Sequence, residues 1–326
     1  MKFEIIGLGN PLIDIIMSVN DTFINQLDLD KGSMNLVDVK RQEQILEQGK
    51  EITKKTALGG SAANTMVMIS QLGGKVAYGG KVGKDRLADD YESQLINMGV
   101  HSCIKRQEGA TGSTVILVTP DAERTMNTHL GMCLNYSEDD LDREIIENSE
   151  YLYLEGYLFD TPTQKKTIAA AVEQAKSANV KIALSLSDSF CVERSKSEFQ
   201  NLLENYVDIL FCNDSEAELM TGFKDAKSQL ESLSKNVDHV VLTQGKKGSK
   251  ICFNGKITDI PCFEVKAIDT TGAGDSFAAG YLYGITQNYS VKQAGMLAAY
   301  CASIVVCQNS PRYNGDFREI VKEYLI

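Results

Sequence analysis

The chain predicts an α/β fold: a doubly wound, mostly parallel sheet with helices on both faces, joined to a small β-rich lid. Three observations carry that prediction. Short apolar runs alternate with longer segments of helical period along most of the 326 residues. Two stretches break that rhythm, and glycine-rich turns run straight into helical segments at Gly59-Gly60 and at Gly272-Ala273-Gly274. Strand-helix alternation implies parallel strands joined by right-handed crossovers, which put helices on both sides of the sheet.

In chain order, Phe3-Glu4-Ile5-Ile6-Gly7 is a buried first strand, and residues 65–72 form a helix closed by Gly73-Gly74. Residues 163–179 carry Ile168, Val172 and Ala175 at helical spacing and lead into a strand at 180–184. A strand at 207–211, helices at 215–220 and 228–235, and a strand at 237–243 continue the pattern, and a last glycine turn opens the helical run from Ser276. Residues 12–55 and 111–131 do not fit, and the alternation around Thr114-Val115-Ile116-Leu117-Val118 predicts half-exposed strands. Those two regions are read as the lid. No repeat, low-complexity tract or Pro/Gly/Ser linker divides the chain, so residues 1–326 are read as one domain.

Composition narrows the chemistry. The 33 basic and 44 acidic residues leave a net charge of −11, which repels nucleic acid and anionic membrane. No segment approaches the ~20 apolar residues of a membrane span. Glu4, Asn10-Pro11 and Asp14 interrupt the N-terminal apolar stretch, unlike a signal peptide. Cysteines at 103, 133, 191, 212, 252, 262, 301 and 307 form no C-x-x-C pair and read as reduced, buried thiols of a cytoplasmic protein. A three-histidine zinc site would have to use all of His101, His129 and His239, none of which sits in H-E-x-x-H spacing, and a Ser-His-Asp triad would need one of the same three with no G-x-S-x-G elbow to present its serine. A general base here is therefore expected to be a carboxylate.

The most informative segment is Asp269-Thr270-Thr271-Gly272-Ala273-Gly274-Asp275. Glycines opening a helix aim unpaired backbone N–H groups outward, and the helix dipole adds to them, forming an anion hole. Asp275 then lies in the first turn, placed to take a proton from an attacking hydroxyl, as phosphoryl transfer requires. The plainer reading is a helix start with a favourable first-turn charge. The turn is not a Walker A loop, since no Lys-Ser/Thr follows, and Gly7 and Gly9 lack the third glycine of a dinucleotide fingerprint. The second motif, Gly59-Gly60-Ser61-Ala62-Ala63-Asn64, offers close backbone approach and the amide of Asn64 to a hydroxyl, or else a tight turn capped by Ser61.

Together these segments resemble the ribokinase-like (PfkB-type) carbohydrate kinases, whose signatures are an early G-G-x-x-x-N and a late D-T-x-G-A-G-D stretch. Gly79-Gly80-Lys81-Val82-Gly83-Lys84-Asp85 and Asn213-Asp214-Ser215-Glu216 extend the likeness, while GNPLIDI (from Gly9), LEGYLFD (from Leu154) and LSDSFCVER (from Leu186) look most like the adenosine-kinase branch and its bacterial relatives. The resemblance implies an ATP- and magnesium-dependent kinase acting on a primary hydroxyl of a ribose-like substrate. It makes Asp275 the base, with Gly272, Ala273 and Gly274 as the anion hole, and places Asp14, Gly60 and Asn64 on the sugar hydroxyls and Arg124 near the phosphates. Asn213 and Glu216 match the element that orders magnesium, through water; Thr243, Gly245 and Gly248 match the nucleotide-side loop; Asp269 lies where some members bind a monovalent cation such as K+. The family includes monomers and lid-paired homodimers.

Two departures stand out. Ala88 replaces a glycine common in relatives, and the relatives' G-A-R element is Ser310-Pro311-Arg312, which leaves Arg312 outside the expected site. The expected substrate is a nucleoside such as adenosine, with Met17, Met34, Met126, Leu130 and Met132 as apolar lid residues over a base. The alternatives are a free sugar or sugar acid (ribose, fructose or 2-keto-3-deoxygluconate) and, in another class, a non-catalytic sugar or nucleotide sensor.

Overall fold

Nine strands form the main sheet of the computed structural model, which describes residues 2–324 apart from Ala122, Asn309, Asn314 and Asp316. Their order is Lys256–Ile260, Ser249–Phe253, His239–Thr243, Ile209–Asn213, Lys181–Ser185, Ser149–Glu155, Phe3–Leu8, Val76–Gly79 and His101–Ser102. All neighbours run parallel except at Ser249–Phe253, which is antiparallel to the strand on either side. Because side chains alternate along a strand, Tyr151 and Tyr153 join one core with Ile5, Phe211 and Val241. Leu152 and Leu154 join the other with Ile6, Leu210 and Leu242. Helices Ser61–Leu72, Ala273–Thr286 and Val291–Val305 cover the first face; Pro162–Ser177, Ser189–Asn205, Asp214–Thr221 and Ala226–Leu233 cover the second. The α/β, doubly wound reading holds.

Local chemistry sets the boundaries. Helix Pro162–Ser177 starts at a proline whose missing N–H costs nothing there, and the Thr161 hydroxyl accepts from the Gln164 amide at 3.1 Å. The strand expected at 207–211 instead occupies Ile209–Asn213, because the Val207 amide is spent on the Leu202 carbonyl at the end of the preceding helix. That shift brings Asn213 to the carboxyl edge of the sheet, beside Thr243 in register.

A second sheet has the order Met34–Leu36, Arg124–His129, Gly112–Val118, Leu12–Ser18 and Lys54–Gly59. Two helices, Asp21–Gln26 and Val39–Gln48, interrupt its first segment, so this region is less purely β than the sequence suggests. Ile13, Ile15, Met17, Val115 and Leu117 point to the side those helices cover, where Ile24 and Ile45 meet them. The residues between them, Leu12, Asp14, Thr114 and Ile116, face a pocket. The expectation of half-exposed strands therefore fails at Gly112–Val118: six of its seven residues are buried, because helices cover one face and the main domain roofs the other.

No helix among the described residues is long and apolar enough to cross a membrane. All eight cysteines are free; six are buried, whereas Cys262 and Cys307 are exposed, contrary to the uniform burial expected.

Candidate active site

The carboxyl ends of the parallel strands, the start of two helices and the lid sheet enclose a pocket of about 300 Å³. Asp275 lies on its floor, in the first turn of helix Ala273–Thr286. The Ser61 hydroxyl donates to its Oδ1 at 2.6 Å and the Asn64 amide to its Oδ2 at 2.8 Å. Burial pushes this carboxyl above the ordinary aspartate range, and the two donors, with Arg312, oppose the shift. Ser61 thus does not cap its own helix. The cap is Gly60, at φ +94° and without a side-chain hydrogen bond, where a Cβ would come 2.5 Å from the Asn10 carbonyl oxygen.

Gly272 caps the other helix at φ +76°, also with no side-chain partner, and any Cβ there would run into the Pro311 carbonyl oxygen. The first bond of this helix is from the Ser276 amide to the Gly272 carbonyl, so the amides of Gly274 and Asp275 precede it. A Cβ on Gly274 would meet nothing within 4 Å, which leaves the approach to those amides open. An anion would be met there by backbone N–H groups and the positive end of the helix. A carboxylate one residue from such a cradle can move a proton off a hydroxyl while the cradle holds negative charge.

Asp14 enters from the lid. Burial raises its carboxyl to about 6, against the pull of Arg312 and Arg124. Gly60 and Asn64 line the same pocket, so all three residues expected on the sugar hydroxyls come together with Asp275. Arg124 and Asp269 are also brought together, as an ion pair; Asp269 Oδ1 further accepts from the Thr271 amide at 2.9 Å and hydroxyl at 2.7 Å. A monovalent cation on Asp269 would have to displace that guanidinium.

The nucleotide-side residues lie apart from this pocket. Asn213 and Glu216 form a closed capping box: the Asn213 side-chain amide and backbone N–H donate to the two Glu216 oxygens at 2.7 and 2.9 Å. Burial lifts Glu216 to about 7. Thr243 ends its strand with its hydroxyl on the Cys212 carbonyl at 3.4 Å. Gly245 and Gly248 take positive φ in the turn of a hairpin between antiparallel strands.

Three site residues escape the sequence reading. Glu155, at the end of its strand, accepts from the amides of Asn10 at 2.8 Å and Ala62 at 2.6 Å, tying the first strand's exit to the start of helix Ser61–Leu72. Burial raises it to about 8. Asn10 is fixed in turn by the Tyr157 carbonyl and the Gln164 amide. Arg312, 5% exposed, donates from Nε to Asn64 Oδ1 at 2.6 Å and from a terminal nitrogen to the Leu58 carbonyl. It thereby fixes which way the Asn64 amide points. Both Asn10 and Glu155 stand inside stretches that carry the family resemblance, whereas Arg312 was masked by the missing glycine at 310.

Of the apolar lid residues, Met34, Met126 and Leu130 line the pocket. Met17 does not: it is fully buried in the lid's own core, on the opposite strand face from Asp14. Met132 packs over Gly109, outside the lining.

Comparison with known proteins bears on this geometry. Residues 31–316 match the family described as pfkB family carbohydrate kinase. The crystal structure of adenosine kinase from Sinorhizobium meliloti superposes with a TM-score of 0.92 at 34% identity, covering 99% of this chain and 100% of that one. A probable sugar kinase from Rhizobium etli CFN 42 gives 0.92 and 34% as well, covering 99% of both chains. Adenosine kinase 2 of Arabidopsis thaliana is 23% identical over 331 residues, 95% of each chain.

Proposed function

The chain belongs to the pfkB family of carbohydrate kinases, and we propose that it transfers the γ-phosphoryl group of ATP to the primary hydroxyl of a nucleoside's ribose, adenosine first. One observation carries this reading: Asp275 sits at a helix N-terminus with no side-chain cap, on the floor of a pocket whose roof is the largely apolar lid sheet. The similarity to adenosine kinases supports the choice of substrate.

In this reading Asp275 takes the proton of the attacking hydroxyl, held toward it by Ser61 and Asn64. The amides of Gly274 and Asp275 meet the charge that builds on the transferring phosphoryl group, whereas the Ala273 amide, expected to join them, is spent on the Thr270 carbonyl at 3.1 Å. Asp14 and Asn64 hold the vicinal diol, one as an acceptor and the other as donor and acceptor. Arg124, paired with Asp269 beside the turn, is within reach of the phosphates once that pair opens. The lid excludes water that would otherwise take the phosphoryl group. Asn213, Thr243, Gly245 and Gly248 form the nucleotide side, along the carboxyl edge of the sheet.

The described residues make no direct cage for magnesium. No group of three or more His, Cys, Asp or Glu among the described residues could hold a metal ion, and both oxygens of Glu216 are engaged by Asn213. In this reading the metal arrives with the nucleotide's phosphates.

The test is ADP release with ATP and magnesium across adenosine, inosine, guanosine, cytidine, ribose, fructose and 2-keto-3-deoxygluconate. Turnover on nucleosides with little on ribose is the expected result. A free-sugar kinase is the second reading, favoured by the equal likeness to the Rhizobium etli probable sugar kinase. Turnover on a free sugar alone would establish it and overturn the nucleoside reading, while silence on all seven would leave a sensor.

A further inference from the structure

Strand register arranges the pocket-facing side chains of the lid in rows. Asp14 stands opposite Thr114, Thr114 opposite Thr128, and Thr128 opposite Leu36, and all four line the pocket. On one side of this row run Ile116, Met126 and Met34; on the other stand Leu12 and Leu130. The roof is therefore apolar except for one stripe. In that stripe the Thr114 and Thr128 hydroxyls lie 3.1 Å apart, either able to donate, on residues only 5% and 6% exposed.

Two hydroxyls carry two donors and four acceptor sites between them, and their mutual bond uses one of each. The remainder is flanked on the pocket's roof by the hydrocarbon of Ile116, Met126, Leu12 and Leu130, where an unmet polar group is costly once water is displaced. A ligand closing that cavity must therefore offer a polar group at this place. Adjacent strands stand about 4.8 Å apart, so Thr114 and Thr128 lie about 5 and 10 Å along the row from Asp14. That is the reach from the diol of a ribose to the far rim of a heterocycle on its anomeric carbon.

We propose that Thr114 and Thr128 form a hydroxyl pair that reads the polar rim of the nucleobase, and so set the base specificity of the pocket. This rests on the nucleoside-kinase reading and deepens it. Hydroxyls rotate, so the pair serves a 6-amino or a 6-oxo purine alike, whereas a purine with no substituent at C6 offers it only ring-nitrogen acceptors and one partner fewer. The same hydrocarbon rows accept the faces of all three bases.

The experiment compares kcat/KM for adenosine, inosine and purine riboside in the wild type, in the Thr114→Val/Thr128→Val double variant and in the matching Thr→Ser double variant. Valine keeps the shape and suits a strand, so folding should survive, and a circular-dichroism melt checks this. The wild type should favour adenosine and inosine over purine riboside. In the valine variant that preference should fall about tenfold, and serine should restore it. Loss by the same factor on all three substrates, or a preference that survives valine, would overturn the inference and leave the pair a structural contact. Turnover of ribose with none of any nucleoside in the wild type would instead overturn the functional reading beneath it, and this inference with it.

Discussion

Replacing Arg312 tests how the site is held together. Its guanidinium donates to Asn64 and to the Leu58 carbonyl, and its charge opposes the rise of the Asp14 and Asp275 carboxyls. Arg312→Met removes all three effects at once and leaves two carboxyls deprived of a buried counter-charge. Taking one partner from a buried charge network costs about 3–5 kcal/mol, more than the 1.5–3 typical of one charged hydrogen bond. Urea unfolding at pH 7.5 should show a loss in that range, and Arg312→Lys, which keeps the charge but not the fork, a smaller one. The sign of the pH dependence is fixed. A carboxyl whose folded pKa exceeds its unfolded value binds more protons folded than unfolded, so stability falls as pH rises through that window and is regained as pH falls. Asp14 stands at about 6 with Arg312 present and higher without it, so the deficit of the methionine variant should shrink as pH drops toward and below 6. A loss under about 1 kcal/mol, or a deficit that grows on acidification, would refute the role given to Arg312.

Other consequences are more direct. Asp275→Asn should cut kcat by about 10²–10⁴-fold with substrate affinity kept within a few-fold; near-normal turnover removes the base assignment. Asn64→Ala should cost about 1–3 kcal/mol, read in the KM of the sugar-bearing substrate rather than that of ATP. Gly272→Ala pays about 1–2 kcal/mol for a left-handed backbone and also strikes the Pro311 carbonyl, so the melting temperature should fall and KM for ATP rise; an unchanged protein would mean the turn is not the cradle described. With Asp14 raised to about 6, protonation on acidification removes a diol acceptor, so log kcat/KM should bend downward near pH 6, and Asp14→Asn should abolish that bend.

The sequence determined what is made by consecutive residues. A helix opened by Gly272-Ala273-Gly274 and carrying Asp275 in its first turn is an anion cradle with a base beside it wherever it folds, and the alternation of apolar runs with helical periods sufficed for a doubly wound sheet. Strand parity was also written there: Met17 shares its face with Ile13 and Ile15, not with Asp14, so its burial in the lid core could have been read from period two alone. Register between strands could not. Asp14, Thr114 and Thr128 are separated by a helix-bearing excursion and a turn, and only hydrogen bonding of their strands puts them in one row. Glu155, Asn10 and Arg312 likewise act across sequence distances of 145 to 248 residues, through bonds to Asn10, to Tyr157 and to Asn64. No local pattern encodes such contacts, because each exists only when packing has removed water from both partners and left them no other choice.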